Sequence, residues 1–371
     1  MRVLLVLATS TGGVGQHVRS LAAGLVSFGV DVLVAGPAST QRTFAFDQVG
    51  ARFAALEVGA TPRPRLDLVA ARRLRALLAG RDVVHAHGLR AGFVSVLALK
   101  GLTPRPALVV TWHNAVLGSG PRRQMLVALE RVVARGADVT FGASTDLVQR
   151  AVELGARDAR LGPVAAPALR APRRGRDVVR AELLSAAGLD DPATAVVLAV
   201  GRLGDQKDYP TMLAALGEHW TAGVQRPLLA IAGAGPLREG LLRQAADREL
   251  PVLLLGHRDD VPELLGAADV LALSSRWEAR PLVVQEAARA GVAIVATAVG
   301  GVVDLVEGAA DLVPPGDPQA LGAALSRLVS DPAHRREVAA AVRERSALWP
   351  DEAATTQQIR AVYDELVARA G

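Results

Sequence analysis

Val270-Leu271-Ala272-Leu273, then Pro281-Leu282-Val283-Val284-Gln285-Glu286-Ala287, then Ala293-Ile294-Val295-Ala296 follow one another in a single stretch of the chain. The two short aliphatic runs read as strands buried on both faces, and the segment between them as a helix. Strand, helix and strand in that order form the crossover unit of a parallel sheet. The same alternation extends in both directions. Upstream in the second half it gives Ala195–Val200, Leu228–Ala232 and Val252–Leu255, and downstream Asp311–Val313. In the first half it gives Val3–Ala8, Val30–Ala35, Val83–Ala86, Leu108–Trp112 and Val139–Ala143, with amphipathic segments such as His17–Phe28 and Leu66–Ala79 between them. The pattern breaks at Pro163–Arg176, a proline- and arginine-rich stretch with the composition of a linker. The predicted fold is therefore α/β, with two doubly wound domains, residues 1–168 and 176–350, facing each other across a cleft. After Trp349-Pro350, Asp351–Ala370 reads as a helix that ends the chain. Open α/β sheets bind ligands beyond the carboxyl ends of their strands, so the cleft is the expected site.

Composition narrows the function. The 371 residues are 50% hydrophobic but only 3% aromatic, so the cores are built from small aliphatic groups. The absence of cysteine excludes disulfides, thiolate metal ligands and a cysteine nucleophile. Met1–Ser10 reads as a buried first strand rather than a secretory signal, because its short apolar run leads into a glycine turn. No apolar run reaches membrane-spanning length, and a cytoplasmic location is expected. The formal charge of +5 is carried mainly by arginine and suits phosphorylated substrates or an anionic membrane surface. No aromatic stacking platform accompanies it, so nucleic acid is not an expected partner.

Glu278 and Glu286 stand on either side of Pro281, with seven residues between them. Proline suits the first helical position, where its missing N–H would be unpaired anyway. Glu278 then precedes the positive end of a helix dipole and Glu286 lies on the open side of its first turns. Two carboxylates around a helix N-terminus make a cradle for a molecule with both hydroxyls and phosphates, such as a sugar nucleotide. The alternative is a surface helix with two solvated glutamates.

The remaining motifs lie at strand ends. Thr9-Ser10-Thr11-Gly12-Gly13-Val14-Gly15-Gln16-His17 turns from the first strand into a helix, with glycines that let backbone N–H groups approach an anion or a sugar. It fits neither a P-loop nor a dinucleotide fingerprint. Gly201-Arg202-Leu203-Gly204-Asp205-Gln206-Lys207 follows the first strand of the second half, and Arg202 and Lys207 there suit a diphosphate leaving group. A solvated basic loop is the plain alternative. Alternation turns His85 and His87 to the same side of their strand, but the neighbouring sequence supplies no third ligand, so no metal is expected. His113, after Thr111-Trp112, is placed to hydrogen-bond a sugar hydroxyl, although a structural histidine explains it as well. Gly233-Ala234-Gly235-Pro236 and Val299-Gly300-Gly301 bring backbone close to a ligand, and Gly256-His257-Arg258 offers backbone groups to a nucleobase.

In this order, the motifs resemble the retaining glycosyltransferases of family 4, whose GT-B architecture joins two Rossmann-like domains. The resemblance runs from Met1 to the last helix. It implies that Arg202 and Lys207 hold the donor diphosphate and that Glu286 takes the ribose hydroxyls. It places Glu278 beside the transferred sugar, Gly12 and Gly13 over the donor phosphate, and His113 near the reacting centre. Gly233, Gly235, His257, Arg258, Pro281 and Leu282 complete the implied donor contacts. It also implies that the terminal helix, residues 351–371, returns to the first domain. The donor would be a UDP- or GDP-hexose, no cofactor or metal is required, and the acceptor is a hydroxyl of a glycan, lipid or small metabolite. Related non-transferring readings are a sugar-nucleotide epimerase and a binding protein without catalysis. Ala279-Arg280-Pro281 departs from the glycine-rich, aromatic segment common in the family, and so bears on donor specificity. Finally, Pro121–Arg135 is a basic amphipathic helix. It packs on its own sheet or, as the alternative, makes peripheral contact with the inner face of a membrane.

Overall fold

The computed structural model describes residues 1–10, 12–162 and 164–370. Thr11 of the glycine turn, Pro163 at the start of the expected linker, and Gly371 lie outside the described residues. The chain divides into two compact units, Met1–Pro167 with Pro350–Gly371, and Ala168–Trp349.

The first unit holds strands β1 (Arg2–Leu7), β2 (Asp31–Gly36), β3 (Arg52–Ala55), β4 (Val83–His87), β5 (Ala107–Trp112), β6 (Val139–Gly142) and β7 (Ala159–Leu161). They form one sheet in the order β3-β2-β1-β4-β5-β6-β7, with every pairing parallel. The second unit holds β8 (Val196–Val200), β9 (Leu228–Ala232), β10 (Val252–Gly256), β11 (Val270–Leu273), β12 (Ala293–Thr297) and β13 (Asp311–Val313). Their order is β10-β9-β8-β11-β12-β13, again all parallel. In each sheet the order reverses beside the first strand, between β1 and β4 and between β8 and β11. Those switch points open a crevice beyond the strand ends, where doubly wound sheets bind ligands.

The aliphatic runs of the sequence correspond to the strands, with ends shifted by a residue or so. Two strands carried no such signal. β3, Arg52-Phe53-Ala54-Ala55, and β7, Ala159-Arg160-Leu161, are edge strands with no fully buried residue, so nothing in their composition had to be apolar. The helix Glu352–Ala370 packs on the first unit, contributing Ile359, Val362, Tyr363 and Leu366 to its core. Its close approach needs Gly24, since a Cβ there would stand 2.4 Å from Thr356 Oγ1. The basic helix Gly120–Gly136 buries Glu130, Val133 and Ala134, while Met125 and Val132 stay exposed. Gly92 lies under Val133 of this helix, and Gly136 lies against Val96.

A recurring device pins the strand starts. Asp82, Asp138 and Asp269 each precede a strand and accept the backbone N–H of a neighbouring strand's first residues: Arg2 at 2.6 Å, Leu108 at 2.8 Å and Val196 at 2.8 Å. Asp269 also takes Arg176 Nη2 at 2.7 Å and Arg180 Nη1 at 2.8 Å. Burial pushes its carboxyl up, but the Val196 N–H and the two arginines outweigh this, and the group sits below the ordinary carboxylate range. A carboxyl lowered on folding stabilises the fold above its unfolded value of ~3.9, and that contribution is lost as pH falls through the lower folded value. Asp269→Asn is expected to cost about 2–3 kcal/mol at pH 7. The deficit should shrink toward pH 3 in denaturant titrations. An undiminished deficit there would show that the charge is not the source.

Candidate active site

Each unit gathers most of its sequence-predicted residues at its own switch point, while His257 and Arg258 follow the edge strand β10. In the second unit, β8 runs into Gly201-Arg202-Leu203-Gly204 and then a short 3-10 turn, Asp205–Lys207. The Gly201 N–H donates to the Ala232 carbonyl at 2.9 Å and the Leu203 N–H to that of Ala234 at 3.0 Å. The loops after β8 and β9 therefore lie backbone against backbone. No side chain fits between them: a Cβ on Gly233 would stand 1.8 Å from the Gly201 carbonyl oxygen, and one on Gly235 2.3 Å from that of Leu203. The Gly233 N–H is used in turn by the Gly256 carbonyl at the end of β10, at 2.7 Å. Three loops that looked commonplace singly are one packed backbone floor.

The loop after β11 is stitched to this floor. Ser274 Oγ donates to the Lys207 carbonyl, the Arg276 N–H to that of Gln206, and Gln206 Nε2 to that of Trp277, each at 2.8 Å. These bonds bring Lys207 Nζ to 2.5 Å from Glu278 Oε1, and Ser275 Oγ donates to the same oxygen at 2.7 Å. Glu278 is 7% exposed and the side chain of Lys207 18%, so the pair is held largely out of bulk water. Behind it, the Glu278 carbonyl accepts the Gly301 N–H at 3.0 Å. Gly300 takes φ +46°, and a Cβ there would meet the Glu278 carbonyl oxygen at 2.1 Å, which is why glycine stands at this position.

Other predicted residues are placed differently. Pro281 caps its helix rather than beginning it: the helix runs Leu282–Ala290, and Pro281 is extended at φ −63°, ψ 124°. The proline fixes the approach to the first turn without entering it. Glu286 is half-buried on that helix, and burial raises its carboxyl above the ordinary range, partly offset by Arg289. Arg202 is exposed and forms no ion pair among the described residues. Arg258 is taken up by Asp260, with Nε at 2.6 Å from Oδ1, while His257 stands 78% exposed beside Asp259. Burial draws the Arg280 guanidinium down to about 10, with Asp304, Arg289 and Arg345 as its charged neighbours. Ser275, Gln206 and Ser274 were missed as site residues. Ser274 and Gln206 act through backbone carbonyls on another loop, which no local pattern encodes, whereas Ser275 stands three residues before the Glu278 carboxylate it serves, a spacing the sequence did show.

In the first unit, the helix Gly13–Ser27 starts from Gly12, and the Gly15 N–H is held by Ser10 Oγ at 3.1 Å. This sets His17 on the first turns of the helix, over the ends of β4 and β5. His17, His87 and His113 are 4%, 2% and 7% exposed. Their ring centroids form a near-equilateral triangle with sides of 5.4–5.5 Å. Each offers one ring nitrogen within 4.8 Å of the others, and His87 Nδ1 lies 3.2 Å from His113 Nε2. His85 does share a side with His87, their rings 4.2 Å apart. Both of its nitrogens are occupied, however, by Tyr363 Oη at 2.6 Å and Thr111 Oγ1 at 2.7 Å. Burial lowers all four imidazoles, His17 to about 4 and His85 to about 3. Neighbouring rings add to the effect on His87 and His113, which fall well below the ordinary value. The sequence reading found no third histidine because His17 lies on a different element, far from His87 and His113 in the chain.

Residues 12–167 match the glycosyl transferase 4-like domain, and residues 184–345 match glycosyl transferases group 1. A D-inositol 3-phosphate glycosyltransferase of Salinispora arenicola is 31% identical over 78% of this chain and 70% of its own length. The chain belongs to the family 4 glycosyltransferases. A glycogen synthase of Mycobacterium tuberculosis is 28% identical to this glycosyltransferase over 97% of the chain and 94% of its own. Among solved structures, HepE of Anabaena in complex with UDP and glucose superimposes with a TM-score of 0.82 at 19% identity, covering 98% of this chain and all of that one. Sucrose-phosphate synthase from Thermosynechococcus elongatus gives 0.79 at 22% identity, covering each chain fully. These likenesses show that the glycosyltransferase has the GT-B fold with its two Rossmann-like domains. None of its helices among the described residues is long and apolar enough to cross a membrane.

Proposed function

We propose that this glycosyltransferase moves a hexose from a uridine-diphosphate sugar to an acceptor hydroxyl with retention of anomeric configuration. The observation that carries the reading is the Lys207–Glu278 pair at 2.5 Å, set on a floor of glycine backbone at the β8/β11 switch point. A cation held by one carboxylate and ringed by close-packed backbone is placed to accept a second anion, the donor diphosphate. Arg202, exposed and without an ion pair among the described residues, supplies the second cation. Glu286 takes the ribose hydroxyls as a two-oxygen acceptor. Relatives support the donor class: HepE is solved with UDP and with UDP-glucose. For the acceptor, the inositol phosphate enzyme and glycogen synthase support a polyhydroxylated molecule.

In the proposed reaction the bond between the anomeric carbon and the β-phosphate oxygen breaks as the acceptor oxygen bonds to the same face. The acceptor proton passes to the departing phosphate, and the products are glycoside and UDP. Negative charge grows on the phosphate, so the work of the protein is electrostatic, through Lys207 and Arg202. His113 of the first unit is proposed to hydrogen-bond the sugar. The proposed location is the cytoplasm, where nucleotide sugars are available.

A thermal-shift series with UDP, GDP and ADP and their hexose conjugates tests the donor. Uridine-selective stabilisation is expected, by about 2.7 kcal/mol at a hundred times the dissociation constant, weakened at least tenfold in affinity by Arg202→Ala. Equal shifts with all three nucleotides would remove the uridine assignment, and an unchanged affinity in Arg202→Ala would remove the role of that residue.

A further inference from the structure

Hydrogen bonding accounts for only part of the buried histidine cluster of the first unit, through the His87–His113 contact. His17 Nε2 and His87 Nε2 are buried with no hydrogen-bond partner. A buried unsatisfied nitrogen is costly and calls for a reason. His85, its two nitrogens already taken, is not part of the cluster. His87 Nδ1 faces His113 Nε2 at 3.2 Å, His17 Nε2 has no partner, and each of the three rings offers a ring nitrogen within 4.8 Å of the others.

We propose that His17, His87 and His113 form a binding site for a late first-row transition-metal ion, with Zn2+ as the expected occupant, and that occupancy inhibits sugar transfer. Three imidazoles on a tetrahedral ion at about 2.0–2.1 Å place their ligand nitrogens roughly 3.3 Å apart and their ring centroids roughly 5.2 Å apart. The observed values are 3.2 Å between His87 Nδ1 and His113 Nε2, and 5.4–5.5 Å between centroids. The His87–His113 pair thus already has the spacing of tetrahedral ligation, and a turn of the His17 ring, whose nitrogen lies within 4.8 Å of both, completes the set. An all-nitrogen donor set without a carboxylate selects zinc, cobalt, nickel or copper over magnesium or calcium, which want oxygen. Three ligands leave the fourth position to water or hydroxide. The ligands come from the last residue of β4, the residue after β5 and the helix behind the Gly12 turn, so one ion would tie together three segments at the switch point. The inhibitory half rests on the role proposed above for His113: an imidazole ligating a metal through the same nitrogen no longer meets a sugar hydroxyl.

The test uses the full-length protein and Co2+ as a spectroscopic probe. Wild type is expected to bind one Co2+ per chain with the intense visible absorption of a four-coordinate ion, bleached on adding Zn2+. His17→Ala and the more conservative His17→Gln should lose at least about a hundredfold in Zn2+ affinity, with circular dichroism confirming the fold. Absence of a stoichiometric Co2+ band in wild type, or an equal band in folded His17→Gln, overturns the site. Micromolar Zn2+ should lower wild-type transfer at least tenfold and spare His17→Gln. A band without that inhibition overturns the inhibitory half alone. A chain that transfers no sugar from any donor tested sinks the transferase reading instead, and the cobalt spectrum still decides the site.

Discussion

Lys207→Ala is expected to lower kcat by about two to three orders of magnitude, with a smaller rise in the KM of the donor. In the proposed reaction the ammonium is one of two cations that meet the leaving diphosphate, and charge on that group is greater in the transition state than in the bound donor, so the loss falls mainly on kcat. A structural effect accompanies it. Glu278 keeps the Ser275 hydroxyl but loses its cation, which should lower stability by about 1–3 kcal/mol. Lys207→Arg separates the two effects. It restores a positive charge, but a planar fork does not reproduce the single contact of Nζ with Glu278 Oε1, so stability should return further than turnover. Steady-state kinetics with saturating acceptor, read beside thermal unfolding, checks both. If Lys207→Ala turns over within threefold of wild type, the pair is a structural ion pair and the leaving group is stabilised elsewhere.

Gly233→Ala is expected to be as damaging by a different route. The added methyl carbon would sit 1.8 Å from the Gly201 carbonyl oxygen, which belongs to backbone and has no rotamer to escape into. The loops after β8 and β9 must part, breaking the hydrogen bonds from Gly201 to Ala232 and from Leu203 to Ala234. Overpacking of this kind costs about 3 kcal/mol or more, or roughly 6–12 °C in melting temperature for a unit of this size. Because Lys207 hangs from the displaced loop, donor affinity should fall at least tenfold as well. Gly240→Ala is the control: it meets nothing within 4 Å, lies in the helix Arg238–Asp247, and should be neutral or slightly stabilising. Differential scanning calorimetry of the two variants is the measurement. Equal melting temperatures would mean that the loops yield freely and that the packed floor is not rigid.

These two residues also mark how far the sequence could be read. Lys207 was legible as chemistry: a lysine five residues past an arginine, after an apolar strand, suggested a phosphate site. Its partner was legible too, because Glu278 and Glu286 bracket a helix start. That Lys207 and Glu278 meet was not legible, since it depends on β8 and β11 being neighbours in a sheet whose order is β10-β9-β8-β11-β12-β13. Gly233 read as one strand-end glycine among many, and its necessity appears only once the Gly201 backbone lies against it. The edge strands β3 and β7 left no aliphatic run, because an edge strand exposed to water is free to carry arginine.

The elements were legible along the chain: eleven aliphatic strands with helices between them, and charged and glycine residues at strand ends. Apolar periodicity is enforced by burial along each segment, so it is written locally. Tertiary structure alone decided the strand order and which loops share a switch point. It also decided that Tyr363, on the last helix, occupies His85 and leaves His17, His87 and His113 as a cluster of three. Those outcomes arise from contacts between residues scores or hundreds of positions apart, such as Tyr363 with His85 at 2.6 Å, and no local pattern along the chain records them.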